Sequence, residues 1–237
     1  MQAFLYGSGV TCAYFIAAAS FFLACRRFIK IPDEIFRKTL HFVLLASYIP
    51  FVFAFDTWYR SAAFAVLFEI IVYPLLAAAE RLPRFSAFVT ERKHGEFKNS
   101  LLLAFSMLAV CVCICWGLLG DRHLVLACMY AWGVGDAFAA LIGKSYGRHK
   151  IRLKLTDGKK SVEGSCAMFV SSALTILTVL LMRGGLSPAG YAVISTAGAA
   201  AATLVEMISR NGMDTVTCPA AAMAVILPLT ALFGGFA

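Results

Sequence analysis

Residues 133–165 read GVGDAFAALIGKSYGRHKIRLKLTDGKKSVEGS, and this stretch decides how the rest of the chain is interpreted. It opens inside an apolar segment that contains one carboxylate, Asp136, and it then crosses a loop that carries seven Lys and Arg residues. An ionisable side chain inside an apolar helix is costly and usually functional. The dense basic loop beside the acid indicates an anionic ligand, such as a phosphate group, that the acid could hold through a metal ion.

The composition of the whole chain indicates an integral membrane protein. Of its 237 residues, 61% are hydrophobic and only 14% are charged, whereas soluble domains carry about 25% charged residues. The net charge of +8 does not indicate nucleic-acid binding, because the basic residues lie between the hydrophobic segments. The eight cysteines include no CxxC pair, so neither a zinc site nor a redox pair is predicted.

Hydrophobic segments predict an all-α, polytopic bundle of about eight transmembrane helices that forms a single integral membrane domain over residues 1–237. A span needs about 20 mostly apolar residues, and the second and third candidates are separated only by residues 56–60. The eight candidates cover roughly residues 4–24, 39–55, 61–79, 99–119, 123–143, 162–182, 187–209 and 216–236.

The distribution of Lys and Arg predicts the orientation of these spans. Loops one, three, five and seven together hold 18 of the 21 basic residues. By the positive-inside rule these loops are cytoplasmic, and both termini lie outside. The even-numbered spans therefore begin at the cytoplasm, and their N-termini are suited to binding phosphate there.

Three carboxylates are predicted to lie near this cytoplasmic face and to bind a metal ion. At 1.5 Å per residue, Asp136 lies roughly 10 Å inside the end of the fifth span. Glu206 lies near the end of the seventh span, and Asp214 lies in the loop beyond it. Asp136 shares a helical face with small residues, which leaves room for an ion. The alternative is an aspartate that pairs with a lysine inside the bundle.

Two basic groups are the candidates for binding nucleotide phosphates. The first is the run Lys159, Lys160 and Ser161 with Glu163 and Gly164, at the start of the sixth span. Alternatively, the two lysines are positive charge that only sets the membrane orientation, and they are followed by a helix N-cap.

The second basic group shares one face at the start of the second span. It comprises Arg37, Lys38 and His41. Alternatively, the two basic residues only set the membrane orientation, and the histidine lies at the membrane interface. Glu69 lies in the middle of the third span. It is either a hydrogen-bonding group between helices or part of a pocket for a lipid alcohol.

Four motifs follow one another along the chain: Glu34-x-x-Arg37-Lys38-x-x-His41, Gly135-Asp136-Ala137 with Gly143-Lys144, Gly158-Lys159-Lys160-Ser161-x-Glu163-Gly164-Ser165, and Glu206-x-x-Ser209-x-x-Gly212-x-Asp214. Together they resemble the CTP-dependent polyprenol and diacylglycerol kinases, a family that includes dolichol kinase, phytol kinase and the yeast-type diacylglycerol kinase. The resemblance covers residues 34–219, and the wider superfamily includes phosphatidate cytidylyltransferase.

The resemblance implies transfer of the γ-phosphate of CTP to the hydroxyl of a membrane lipid. It implies that Arg37, Lys38, Asp136 and Gly143 matter for activity. One departure is visible, because a threonine follows Asp214 where the family tends to have asparagine. The acceptor could be a polyprenol such as dolichol, phytol or diacylglycerol, because apolar helix surface carries no readable code for the lipid.

Physical chemistry supports the same reading. Phosphoryl transfer needs positioning and charge neutralisation, and Mg²⁺ is commonly held by carboxylates and substrate phosphates. Asp136, Glu206 and Asp214 are therefore the expected Mg²⁺ ligands. The general base is not evident; Asp136 and His41 are candidates, and Lys144 is a further catalytic candidate.

Two other functions stay open at this point. A CTP:phosphatidate cytidylyltransferase would share Asp136 and the Lys-Lys-Ser-x-Glu-Gly run, but the arginine it is expected to have after Asp214 is missing. A transporter would place its acids around a cavity at the midplane of the membrane, whereas the charged groups here gather at one face.

Overall fold

The computed structural model describes residues 2–28, 32–82, 95–151, 160–210 and 212–236, and these ranges are almost entirely helical. They contain eight helices that are long and apolar enough to cross a membrane, which confirms the predicted polytopic helical bundle. The helices are α1 (Gln2–Phe28), α2 (Asp33–Phe53), α3 (Trp58–Ala79), α4 (Glu96–Cys111, extended by a π-helical segment Val112–Leu118), α5 (Arg122–Tyr146), α6 (Val162–Arg183), α7 (Pro188–Ile208) and α8 (Asp214–Phe233).

Helix ends differ from the predicted span ends where polar residues continue the helix past its apolar part. The second helix begins at Asp33 rather than near residue 39, and the fifth ends at Tyr146 rather than near residue 143. Asp136 therefore lies about 15 Å from the end of α5, and its distance from the end of the apolar part near residue 143 is still roughly 10 Å. The second and third spans are separate helices, as predicted, because α2 ends at Phe53 and α3 begins at Trp58.

Contacts group the chain into two compact units, Met1–Cys113 and Ile114–Ala237, and the boundary falls inside the fourth span. That the chain forms one integral membrane domain stays a prediction.

The first unit packs around aromatic rings from three helices. The ring of Phe105 in α4 lies 5.1 Å from that of Phe51 in α2 and 4.9 Å from that of Phe68 in α3. Beside this core, Ser106 donates a hydrogen bond to Glu69 at 3.0 Å. Glu69 thus has the first of its two predicted roles, that of a hydrogen-bonding group between helices α3 and α4.

In the second unit, α5 and α6 pack with their backbones close together because glycines line the contact. A Cβ added to Gly135 would lie 2.4 Å from the hydroxyl oxygen of Ser172, and one added to Gly164 would lie 2.9 Å from the carbonyl oxygen of Ala139. Ser172 also donates a hydrogen bond to the carbonyl of Ala131 at 2.6 Å. These contacts fix the antiparallel register of the two helices.

The same kind of contact sets the register of α7. A Cβ on Gly198 would lie 2.8 Å from the side chain of Ile226 in α8 and 3.3 Å from that of Ile176 in α6. Near the end of α7, Ser209 and Thr217 share a hydrogen bond of 2.8 Å. This register brings the end of α7 level with the beginnings of α6 and α8, where the charged residues of the unit gather.

The opposite end of the second unit is held by a buried ion pair. Arg183, at the end of α6, contacts Asp121 through its Nε atom, and the two side chains are 4% and 0% exposed. Arg183 also donates to the carbonyls of Gly184 and Gly235, at 2.9 and 2.6 Å. Asp121 caps α5 by accepting a hydrogen bond from the backbone N–H of His123. We call these groups the Asp121–Arg183 clamp.

Candidate active site

Three carboxylates meet at the end of the second unit where α6 and α8 begin. Asp136 lies in α5, Glu206 lies two residues before the end of α7, and Asp214 is the first residue of α8. Asp136 interacts electrostatically with both of the other carboxylates, so the three negative charges repel one another when ionised. We call these three residues the acidic site. The structure thus brings together the acids that the sequence predicts to bind metal.

Lys160 supplies a positive charge to the acidic site. Its Nζ atom lies 2.7 Å from Oε1 of Glu206, and the two side chains are 17% and 10% exposed. The same ammonium group contacts the backbone carbonyl of Glu206 and interacts electrostatically with Asp214. The predicted phosphate-binding lysine therefore lies against the acids, and its contact with a nucleotide stays a prediction.

Trp132 belongs to this site, although the sequence analysis missed it. Its indole N–H donates a hydrogen bond to Oδ2 of Asp214 at 3.2 Å, and its side chain is buried. An aromatic residue in an apolar helix is ordinarily a packing residue, so the residue type alone does not indicate a functional site. The available signal was its position four residues before Asp136, since that spacing returns to the same helical face.

The small residues predicted to bind phosphate have a packing role in this structure. Ser161 caps α6, because its side-chain oxygen accepts a hydrogen bond from the backbone N–H of Gly164 at 3.2 Å. A Cβ on Gly143 would lie 3.2 Å from the oxygen of Ser161 and 3.5 Å from the Cα atom of Gly164. The N-cap interpretation is confirmed, and phosphate binding stays a prediction. Lys144 is exposed in the last turn of α5.

The ends of the basic loop are held together just before α6. Glu163 contacts the Nδ1 atom of His149 at 2.6 Å and accepts a hydrogen bond from its backbone N–H at 3.2 Å. The backbone N–H of Ile151 donates to the carbonyl of Lys160 at 3.0 Å. Glu163 therefore joins the two ends of the loop. Lys159, predicted to bind nucleotide, lies outside the described residues.

The other predicted basic group belongs to the first unit. Arg37 pairs with Glu34 at 2.6 Å and with Glu96 at 3.5 Å. Lys38 is buried and His41 is half-buried in the same helix. Glu96 begins α4 and lies far from Arg37 in sequence, so no sequence signal links the two residues.

The donor chemistry of the acidic site fits a hard divalent cation. Carboxylate oxygens are the protein ligands that Mg²⁺ prefers, and Mg²⁺ usually takes its other ligands from water and substrate phosphates. Among the residues that the structure describes, no group of three His, Cys, Asp or Glu side chains is placed to hold an ion alone. A cation here would therefore bind one or two carboxylates and complete its shell with phosphate oxygens and water.

Comparison with known proteins finds a partial relative. The chain is 37% identical over 89 residues to a phytol kinase from Synechocystis sp. (strain ATCC 27184 / PCC 6803 / Kazusa). The match covers 38% of this chain and 36% of the phytol kinase, so it spans just over a third of each. No family model matches the chain. No solved structure matches it either.

Proposed function

We propose that this chain is a CTP-dependent lipid-alcohol kinase that transfers the γ-phosphate of CTP to the hydroxyl of a membrane lipid at the cytoplasmic face. The observation that carries the proposal is the acidic site, in which Lys160 pairs with Glu206 and interacts with Asp214, while Asp136 interacts with both of these carboxylates. The similarity to a phytol kinase supports the same class of reaction.

The carboxylates of the acidic site would bind the nucleotide phosphates indirectly, through a divalent cation. One or two of Asp136, Glu206 and Asp214 would hold Mg²⁺, and the ion would neutralise charge on the phosphates. Lys160, which pairs with Glu206, would contribute a positive charge to the same phosphates. Positioning and charge neutralisation supply most of the catalysis in phosphoryl transfer, so this set of groups matches the demands of the reaction.

The acceptor would reach the site from the membrane. Its hydroxyl oxygen attacks the γ-phosphorus of CTP, the bond from that phosphorus to the bridging oxygen breaks, and CDP leaves. The hydroxyl proton passes to a base, for which Asp136 is our first candidate and His41 the second. Phytol, a polyprenol such as dolichol, and diacylglycerol all carry a hydroxyl on an apolar body, and these are the acceptors we propose.

A test of the donor bond separates this proposal from the cytidylyltransferase alternative. Both enzymes would bind Mg²⁺ and CTP, but a cytidylyltransferase joins a lipid phosphate to the α-phosphorus and releases pyrophosphate. Purified protein is given CTP labelled at the α- or the γ-position, with phytol, dolichol, diacylglycerol and phosphatidate in turn. We expect the γ-label to enter an alcohol and phosphatidate to stay inert. Entry of the α-label into lipid would replace the proposal with the alternative.

A further inference from the structure

We propose that Trp132 is a positioning residue, whose indole N–H fixes the carboxylate of Asp214 in the orientation that binds a divalent cation–nucleotide complex. The inference deepens the proposed function and rests on it for the identity of the ligand. Its basis is the hydrogen bond of 3.2 Å between Nε1 of Trp132 and Oδ2 of Asp214.

The surroundings of this hydrogen bond show why the orientation of Asp214 needs a fixed partner. Asp214 is the first residue of α8 and is repelled by the charge of Asp136. Lys160 attracts it. A short side chain between opposing charges can rotate, whereas a buried indole is held rigidly by packing. Trp132 is 3% exposed, so its donor has a fixed position.

The choice of an indole suits this role. An indole donates one hydrogen bond and accepts none, so Trp132 engages one carboxylate oxygen and does not compete for the metal. Groups that orient metal ligands in this way typically contribute about 10- to 100-fold to metal affinity. Trp132 thus acts through Asp214 and need not contact the cation or the nucleotide.

The first experiment measures binding in micelles that contain no lipid alcohol, so that no phosphate is transferred. Labelled CTP is equilibrated with the full chain in the presence and absence of Mn²⁺. We expect Trp132→Phe to weaken the Mn²⁺-dependent binding about tenfold or more, and to leave the metal-independent binding unchanged. The matched control is Trp116→Phe, because Trp116 is also buried in the second unit but lies against Arg122.

A double-mutant cycle tests whether Trp132 acts through Asp214. Once Asp214→Asn has removed the charge, adding Trp132→Phe should cost little further affinity, because residues in direct contact are non-additive. Additive losses, or Mn²⁺·CTP affinity in Trp132→Phe equal to that of the parent protein, would overturn the inference. Failure of the parent protein to bind Mn²⁺·CTP would overturn it too.

A second measurement keeps residue 132 intact and does not depend on the folding of that variant. In the protein with Trp58→Phe and Trp116→Phe, Trp132 is the remaining tryptophan of the chain. Paramagnetic Mn²⁺·CTP should quench its fluorescence in a saturable way, and Mg²⁺·CTP should not. Absence of saturable quenching contradicts the inference.

The two proposals can fail separately. If Mn²⁺·CTP binding depends on Trp132 but no alcohol accepts a phosphate, the kinase proposal fails and the positioning role stands. If an alcohol is phosphorylated and Trp132→Phe changes neither the metal-dependent binding nor the metal requirement, the kinase proposal stands and the positioning role fails.

Discussion

The two ends of the second unit both contain ion pairs, but the pairs are built differently. In the Asp121–Arg183 clamp the opposite charges are matched, the side chains are 4% and 0% exposed, and the spare donors of Arg183 bond to carbonyls. In the acidic site three like charges repel one another, and the side chains of the pair that Lys160 forms with Glu206 are 17% and 10% exposed.

This difference separates structural from functional charge. A buried pair whose charges are matched and whose polar groups bond within the protein has little capacity left for a ligand. Carboxylates that repel one another lower the stability of the folded protein. A bound cation neutralises their charge and restores that stability. Perturbed, partly exposed charges of this second kind concentrate at functional sites. The comparison therefore predicts that mutations at the clamp change stability and that mutations at the acidic site change activity.

The largest effect is expected at the clamp. Arg183→Met removes the guanidinium and leaves the carboxylate of Asp121 buried without its countercharge. Breaking a buried pair in this way typically costs about 3–5 kcal/mol, and we expect a loss of this size in the free energy of unfolding in detergent. Adding Asp121→Asn should recover part of it, because the buried charge is then gone. An unchanged unfolding transition in Arg183→Met would show that the clamp does not stabilise this unit.

The next effect is at the acidic site and concerns turnover. Asp136→Asn keeps the shape of the side chain and removes its charge, so turnover should fall about 10²-fold or more, as when one electrostatic stabiliser is lost. Thermal stability should stay the same or rise, because repulsion of Glu206 and Asp214 is relieved. Asp121→Asn is the matched control, and it should lower stability. Near-normal turnover in Asp136→Asn would exclude Asp136 as a metal ligand.

A third prediction separates the two roles that Lys160 can have. Lys160→Ala leaves Glu206 without its countercharge, so the free energy of unfolding should fall by about 1–3 kcal/mol, and the KM for CTP should rise. In the double variant with Glu206→Gln, stability should return because the repelling charge is neutral. The KM should stay high, because the ammonium group is still missing and Glu206, a candidate Mg²⁺ ligand, has been neutralised as well. Recovery of both properties would mean that Lys160 serves the fold alone.

Much of this fold follows from the sequence, and the reason is physical. A span must be about 20 apolar residues long, so hydropathy predicts eight helices in agreement with the structure. The ends of the helices are less predictable, because Asp33 and Lys144 are polar but continue their helices. Hydropathy falls there while backbone hydrogen bonding does not.

The site is predictable only as a set of residue types. The three acids stand out because charge inside a span is rare, and the structure gathers them. The pairing of Lys160 with Glu206 joins residues 46 positions apart, and that contact depends on the packing of α6 against α7. The packing role of Gly164 depends in the same way on the register between α5 and α6.

A smaller effect is expected at Arg37, where the charges are of an intermediate kind. Arg37 is 23% exposed and pairs with two carboxylates, Glu34 and Glu96, that are themselves partly exposed. Arg37→Ala should raise the KM for CTP about tenfold, the cost of one charged hydrogen bond. Arg37→Lys should recover only part of this if the contact is bidentate. Glu96→Gln is the control, and it should leave the KM unchanged. Unchanged KM values in every Arg37 variant would mean that the charge of this residue only sets the membrane orientation of the chain.

The smallest effect on activity is expected from variants that report which side of the membrane each end of the unit faces. Ser145 and Ala189 are exposed, at the end of α5 and the start of α7. Ala189 is preferred to the neighbouring Ser187, which caps α7 through the N–H of Gly190. Ser145→Cys and Ala189→Cys should each keep full turnover.

An impermeant thiol reagent should then label the two variants from opposite sides, with the parent protein giving the background from its native cysteines. We expect Ser145→Cys to be reached from the cytoplasm, because the loop beyond α5 carries the densest positive charge of the chain. The acidic site would then face the compartment that contains CTP, and the clamp would face the other side. Labelling of both positions from one side would contradict the eight-span topology and would remove the cytoplasmic placement on which the proposed reaction depends.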